Sequence, residues 1–74
     1  MNTYTEELYL KAIYKFSRSS DDSVSTNIIA EELDTKASSV TDMIKKLSDK
    51  KLVSYQKYKG VKLTNKGRKI AISV

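Results

Sequence analysis

The chain has 74 residues, of which 31% are charged and 39% hydrophobic, with a formal net charge of +5. That length holds one domain, or part of one, around a core that is marginal without a staple. It contains neither Cys nor His, so disulfides and Cys/His metal sites are excluded. The opening MNTYTEELYL has no basic segment followed by an apolar run, and no stretch approaches a membrane span. The expectation is a cytoplasmic protein with no membrane partner.

Taken in order, the first element is a helix with Thr5 as its cap and Glu6 and Glu7 in its first turn. Leu8, Tyr9, Ala12, Ile13 and Phe16 form its apolar stripe, and it ends near Ser17. Tyr9 and Tyr14 read as packing aromatics. Residues 17–23, SRSSDDS, form a polar loop. Val24 reads as a short strand that closes a small sheet, and Ser25 or Thr26 caps a helix starting near Asn27.

Residues 28–49, IIAEELDTKASSVTDMIKKLSD, organise the chain. Ile28, Ile29 and Leu33 mark one helix, with Ala30 as the small residue where a second helix crosses closely. Asp34, Thr35 and Lys36 favour a turn. Val40, Met43, Ile44 and Leu47 then recur at the spacing that places them on one helix face. Val40, Ile44 and Leu47 are expected to pack against Ile13, Phe16, Ile29 and Leu33. The opposite face carries Ser38, Thr41, Asp42, Lys45, Lys46 and Asp49. A short, polar, partly basic face on the second helix of a helix-turn-helix suits a DNA major groove.

After Lys50 and Lys51 comes LVSYQKYKGVKLT, residues 52–64. Val53/Tyr55 and Val61/Leu63 alternate with polar residues, and Gly60 supplies the turn of a hairpin. Lys57, Lys59 and Lys62 make that hairpin a basic wing. Thr64 caps a last helix whose opening turns hold Lys66, Gly67, Arg68 and Lys69. Gly67 inside a helix costs about 1 kcal/mol against Ala, so close packing or a backbone approach is expected there. The chain stops on the apolar Ile70, Ala71, Ile72 and Val74. A helix that ends this way continues or meets a partner, and an N-terminal fragment of a longer protein is the expectation.

Charge is divided along the chain. Residues 1–44 hold four basic and eight acidic side chains, and residues 45–74 hold ten basic and one acidic. A solvated Lys-rich surface would give the same total. The coincidence of the basic half with a helix-turn-helix and wing favours a phosphate backbone as the partner. No Ser/His/Asp or Cys/His arrangement and no phosphate-cradling Gly-rich loop occurs, so an enzyme is not expected. The competing class is a winged helix used for protein–protein contact with an acidic partner.

The fold class is therefore mostly α with a small β-hairpin wing, a winged helix-turn-helix of order αααββα over residues 1–74. The segments TEELYLKAIY, IAEEL, SSVTDMIKKLSDKKLV and YKGVKLTNKGRKIA resemble the N-terminal winged-helix domain of the metal-dependent repressors. These are the diphtheria-toxin-repressor and manganese-transport-regulator relatives. The resemblance implies a sequence-specific transcriptional repressor that binds double-stranded DNA as a homodimer, through a domain following Val74. It places base-facing roles on Lys36, Ser38 and Asp42, and phosphate contacts on Thr26, Ser39, Thr41, Lys46 and Lys59. Lys45, Lys57 and Lys62 join the phosphate set on charge. Asp42 either accepts from cytosine N4 or points away into a local network. Fe²⁺ or Mn²⁺ is implied for the full-length parent by resemblance alone. The family's ligand positions on the first helix hold Leu8 and Lys11 here, which do not ligate a hard divalent ion. No metal ligand is assigned within this chain, and Glu6 and Glu7 read as first-turn acids.

Overall fold

A computed structural model of the chain describes residues 3–17, 23–56 and 59–73. Helices α1 (Tyr4–Phe16), α2 (Thr26–Glu32) and α3 (Ala37–Asp49) precede strands β1 (Val53–Gln56) and β2 (Gly60–Leu63), and α4 (Asn65–Ser73) follows. The expected order αααββα is the observed one. The helix-turn-helix is α2 and α3, and the antiparallel hairpin β1–β2 is the wing, in register Val53 with Leu63 and Gln56 with Gly60.

Three helix starts carry side-chain caps. Thr3, rather than Thr5, caps α1: its hydroxyl accepts from the Glu6 N–H, and the Glu6 carboxylate accepts from the Thr3 N–H. This reciprocal pair satisfies two otherwise unpaired amides. Ser25 caps α2 by accepting from the Asn27 N–H, leaving Thr26 as the first helical residue. Thr64 caps α4 by accepting from the Gly67 N–H, as the sequence suggested.

The tight turn between α2 and α3 depends on Asp34 at φ 52°. There the Thr35 N–H reaches back to the Ala30 carbonyl at 3.0 Å, which closes the end of α2. Helix α3 ends the same way. Lys51 takes φ 62°, and the Leu52 N–H donates to the Leu47 carbonyl at 3.0 Å. Both Leu47 and Leu52 are buried, so the apolar contact that accompanies such an end is in place.

The core joins Tyr9, Leu10, Ala12 and Ile13 of α1 to Ile29 and Ala30 of α2 and to Val40, Ile44 and Leu47 of α3. Val53, Val61, Leu63 and Ala71 close it from the wing and α4. The inner face of α3 is thus the one the spacing predicts. The stripe of α1 is turned relative to expectation. Leu10 is completely buried, whereas Phe16 is 37% exposed, with the Lys15 ammonium 5.5 Å from its ring centroid. Tyr9 packs inside, but Tyr14 lies largely outside beneath the Arg68 guanidinium, 5.6 Å from its ring centroid. Ile28 and Ile72 are also exposed, and Leu33, Met43 and Ile70 are only partly buried.

Val24 forms the expected addition to the sheet as an isolated bridge. Its N–H and carbonyl exchange hydrogen bonds with Val61 at 2.7 and 2.9 Å. Gly60 meets that bridge at φ 107°, where a Cβ would overlap the Val24 carbonyl. Gly67 is buried with the Leu52 carbonyl where its Cβ would stand, the close backbone approach that its place in a helix called for. Lys57 and Val74 lie outside the described residues, as does most of the 17–23 loop. Among the described residues no helix is long and apolar enough to cross a membrane.

Ile44 sits at the centre of the inner face of α3 and is 1% exposed. Ile44→Ala should destabilise the fold by about 2–5 kcal/mol, read by urea or thermal denaturation. A loss under about 1 kcal/mol would mean that this face does not carry the core.

Candidate nucleic-acid interface

Burial of Val40, Ile44 and Leu47 turns the opposite side of α3 to solvent. Lys36, Ser38, Ser39, Asp42, Lys45 and Lys46 are all exposed there. The 3.6-residue period is the cause: one face committed to the core leaves a polar ridge along the other. Ser39, Asp42, Met43 and Lys46 line a shallow cleft of about 270 Å³ on one flank of this ridge. Met43, counted with the inner face from its spacing, is the half-buried wall of that cleft.

The start of α3 differs from those of α1, α2 and α4. Its cap position is Lys36, which makes no side-chain cap hydrogen bond. A Lys side chain has no acceptor, so the first-turn amides have no capping oxygen from it. Lys36, Ser38 and Ser39 surround these donors, and an approaching phosphate oxygen would find N–H groups, hydroxyls and an ammonium together. Thr41 is half-buried and its hydroxyl donates to the Ala37 carbonyl at 3.1 Å. It reaches a phosphate as a donor only by leaving that bond.

The wing brings a second set of groups to the start of α2. Thr26 and Lys59 line one cleft of about 210 Å³ with Ser25, Tyr55 and Gly60. Lys59 is exposed and Lys62 half-buried. Two positions assigned from separate parts of the sequence therefore lie at one place, whereas Lys57 falls outside the described residues. Ser25 and Tyr55 were not singled out for binding. Tyr55 alternates with Val53 like a core residue, but β1 runs outward from the core and leaves it 50% exposed.

Two ion pairs engage lysines that lie outside the expected binding set. Lys15 Nζ lies 2.9 Å from Glu32 Oε2, which joins α1 to the end of α2. Lys50, just past the end of α3, is held by Glu6: Nζ donates to Oε1 at 2.9 Å and lies 2.7 Å from Oε2. Glu6 is 1% exposed. The Lys50 ammonium, and next the Thr3 N–H, hold its carboxyl below the usual carboxylate range against the upward push of burial. Glu6, expected only as a first-turn acid, is thus the acid of a capping box and also the anchor between the start of α1 and the end of α3.

The metal implied by resemblance does not fit the residues at hand. Leu8 and Lys11 line a cleft of about 140 Å³ with Ala12, Lys15, Glu32 and Leu33. An alkyl chain, two ammonium groups and a carboxylate already paired with one of them are no donor set for a hard divalent cation. Among the described residues no group of three or more His, Cys, Asp or Glu side chains comes together.

A helix-turn-helix with an outward polar ridge and a basic wing defines a winged-helix nucleic-acid-binding domain. The family model for the iron dependent repressor, N-terminal DNA binding domain, matches residues 1–61. The HTH-type transcriptional regulator MntR of Oceanobacillus iheyensis is 41% identical over 70 residues, covering 95% of this chain and 47% of that regulator. The chain belongs to the iron-dependent repressor family, in which it corresponds to the N-terminal DNA-binding domain. It spans about half the length of the curated relative it matches.

The Glu6–Lys50 pair gives the domain a pH signature. With the folded carboxyl below its ordinary value, its contribution is complete above about pH 4.5 and is lost as the pH falls through the folded value. Glu6→Gln keeps the capping geometry and removes the charge. The variant should lose about 1–3 kcal/mol at pH 7, moderated because Lys50 is partly exposed. Its thermal midpoint should fall less steeply than that of the unaltered protein on acidification below pH 4.5. Parallel acid profiles for the two proteins would show that the pair does not set stability.

Proposed function

We propose that this chain is the operator-reading domain of a metal-responsive transcriptional repressor, with residues 1–74 forming one winged helix-turn-helix unit. The observation that carries this reading is the outer face of α3, where Lys36, Ser38, Ser39, Asp42, Lys45 and Lys46 stand exposed, together with a basic wing. Lys36, Ser38 and Asp42 face base edges from the first turns of α3. Ser39, Thr41, Lys45 and Lys46 flank them toward one strand's phosphates. Thr26, Lys59 and Lys62, with Lys57 at the wing, hold the backbone further along. The division is the one the family resemblance implies; the Asp42 carboxylate can accept from a base edge, and the Lys45 and Lys46 ammonium groups can neutralise phosphates at the groove's rim.

One such domain reads one half-site. A homodimer formed through a segment beyond Val74 would place two domains on half-sites spaced by helical turns. Membership in the family supports both the dimer and control by Fe²⁺ or Mn²⁺ in the whole protein, in the cytoplasm. Leu8 and Lys11 put the metal's ligands outside α1, so a metal acts on this domain only through the rest of the protein. Use of the wing for an acidic protein partner would need no order of bases and is the weaker reading, because the polar face of α3 would then have no role.

Base reading and backbone binding separate in a selection from random duplexes. Lys46→Ala should weaken every duplex alike and reduce the log–log salt slope by roughly 0.9. Asp42→Ala should leave that slope nearly intact and change the base preferred at one position, by about 1–3 kcal/mol. The opposite pattern, with Lys46 altering preference and Asp42 altering none, would reverse the two assignments.

A further inference from the structure

We propose that the cleft at the root of the wing is a seat for one backbone phosphate of duplex DNA, with the Tyr55 phenol as a donor to it. The proposal rests on the DNA-binding reading above and adds Tyr55 and Ser25 to the backbone contacts assigned there to Thr26 and Lys59. The cleft is lined by Ser25, Thr26, Tyr55, Lys59 and Gly60. Among these residues there are three hydroxyl groups and one ammonium, and no carboxylate. That donor set suits a singly charged phosphodiester oxygen pair.

The local geometry keeps the donors available. Ser25 Oγ accepts from the Asn27 N–H at 3.2 Å, so its own proton remains free to donate outward. Tyr55 is 50% exposed on β1, opposite Val61 in the register. Lys59 is exposed at the start of the returning strand. The walls are also fixed to each other. Val24, next to Ser25, is bonded in both directions to Val61, and Gly60 lies against the Val24 carbonyl where no Cβ would fit. The wing and the start of the helix-turn-helix therefore meet as one surface. Groups held in place lose little freedom when a ligand arrives.

Tyr55→Phe keeps the ring and removes only the hydroxyl. In the whole protein, titrated with a mixed-sequence duplex over a range of salt, it should weaken binding about five- to tenfold at unchanged salt slope. Lys59→Ala should lower the slope by roughly 0.9. The double variant should lose less than the product of the two effects, because both groups hold one phosphate. Tyr4→Phe, at an exposed tyrosine on α1 that does not line the cleft, should bind as the unaltered protein does. Unchanged affinity for Tyr55→Phe, effects that multiply independently, or an equal loss in Tyr4→Phe would each overturn the phosphate seat while DNA binding stands. Failure of the unaltered protein to bind duplex DNA would overturn the functional reading itself, and the seat with it.

Discussion

The Leu52 peptide is the joint on which the rest of the structure depends. Its N–H closes the end of α3 on the Leu47 carbonyl, and its own carbonyl accepts from the Thr64 N–H at 3.1 Å and the Thr64 hydroxyl at 3.0 Å. Gly67 lies against that same carbonyl, at a distance no other residue's Cβ would allow. One residue therefore fixes the recognition helix, the exit of the wing and the start of α4 relative to one another. In a core this small, few apolar contacts are available to do the same work. A backbone joint with hydrogen bonds on both sides is directional where apolar packing is not.

That joint converts a helical period into an interface. With the end of α3 fixed and its inner face packed on α2 and β1, the rotation of the helix about its own axis is settled. Lys36, Ser38 and Asp42 then point outward together. The hairpin leaves the same joint and returns to it, so Lys59 and Tyr55 have a defined place beside the start of α2. The Glu6–Lys50 pair adds a second tie at the end of α3. It also directs one of the many lysines of the basic half to a structural task, so charge counted along the chain overstates charge available to DNA.

Features set by local spacing were legible in the sequence. The inner face of α3, the turn at Asp34, the hairpin with Gly60 and the Thr64 cap all follow from neighbours within a few residues, and Gly67 marked a close approach without naming Leu52 as its partner. The bridge from Val24 to the sheet was legible as an isolated apolar residue in a polar stretch. Less legible was anything that joins distant segments. Glu6 and Lys50 are 44 positions apart, and a charge pattern does not reveal such a pair. The Thr3…Glu6 spacing is a capping-box signature and could have moved the start of α1 back from Thr5. Tyr55 was obscured because alternation gives the face of a strand and not how far along it the core extends.

The central claim is that α3 and the wing together form the surface that meets duplex DNA. Amide chemical-shift mapping of the protein during titration with a duplex at low salt tests it most directly. Shifts should concentrate at Lys36, Ser38, Asp42 and Lys46 and at Lys59, with Leu8, Lys11 and Ile72 unmoved. Shifts confined to α1 and α4, with the outer face of α3 silent, would contradict it.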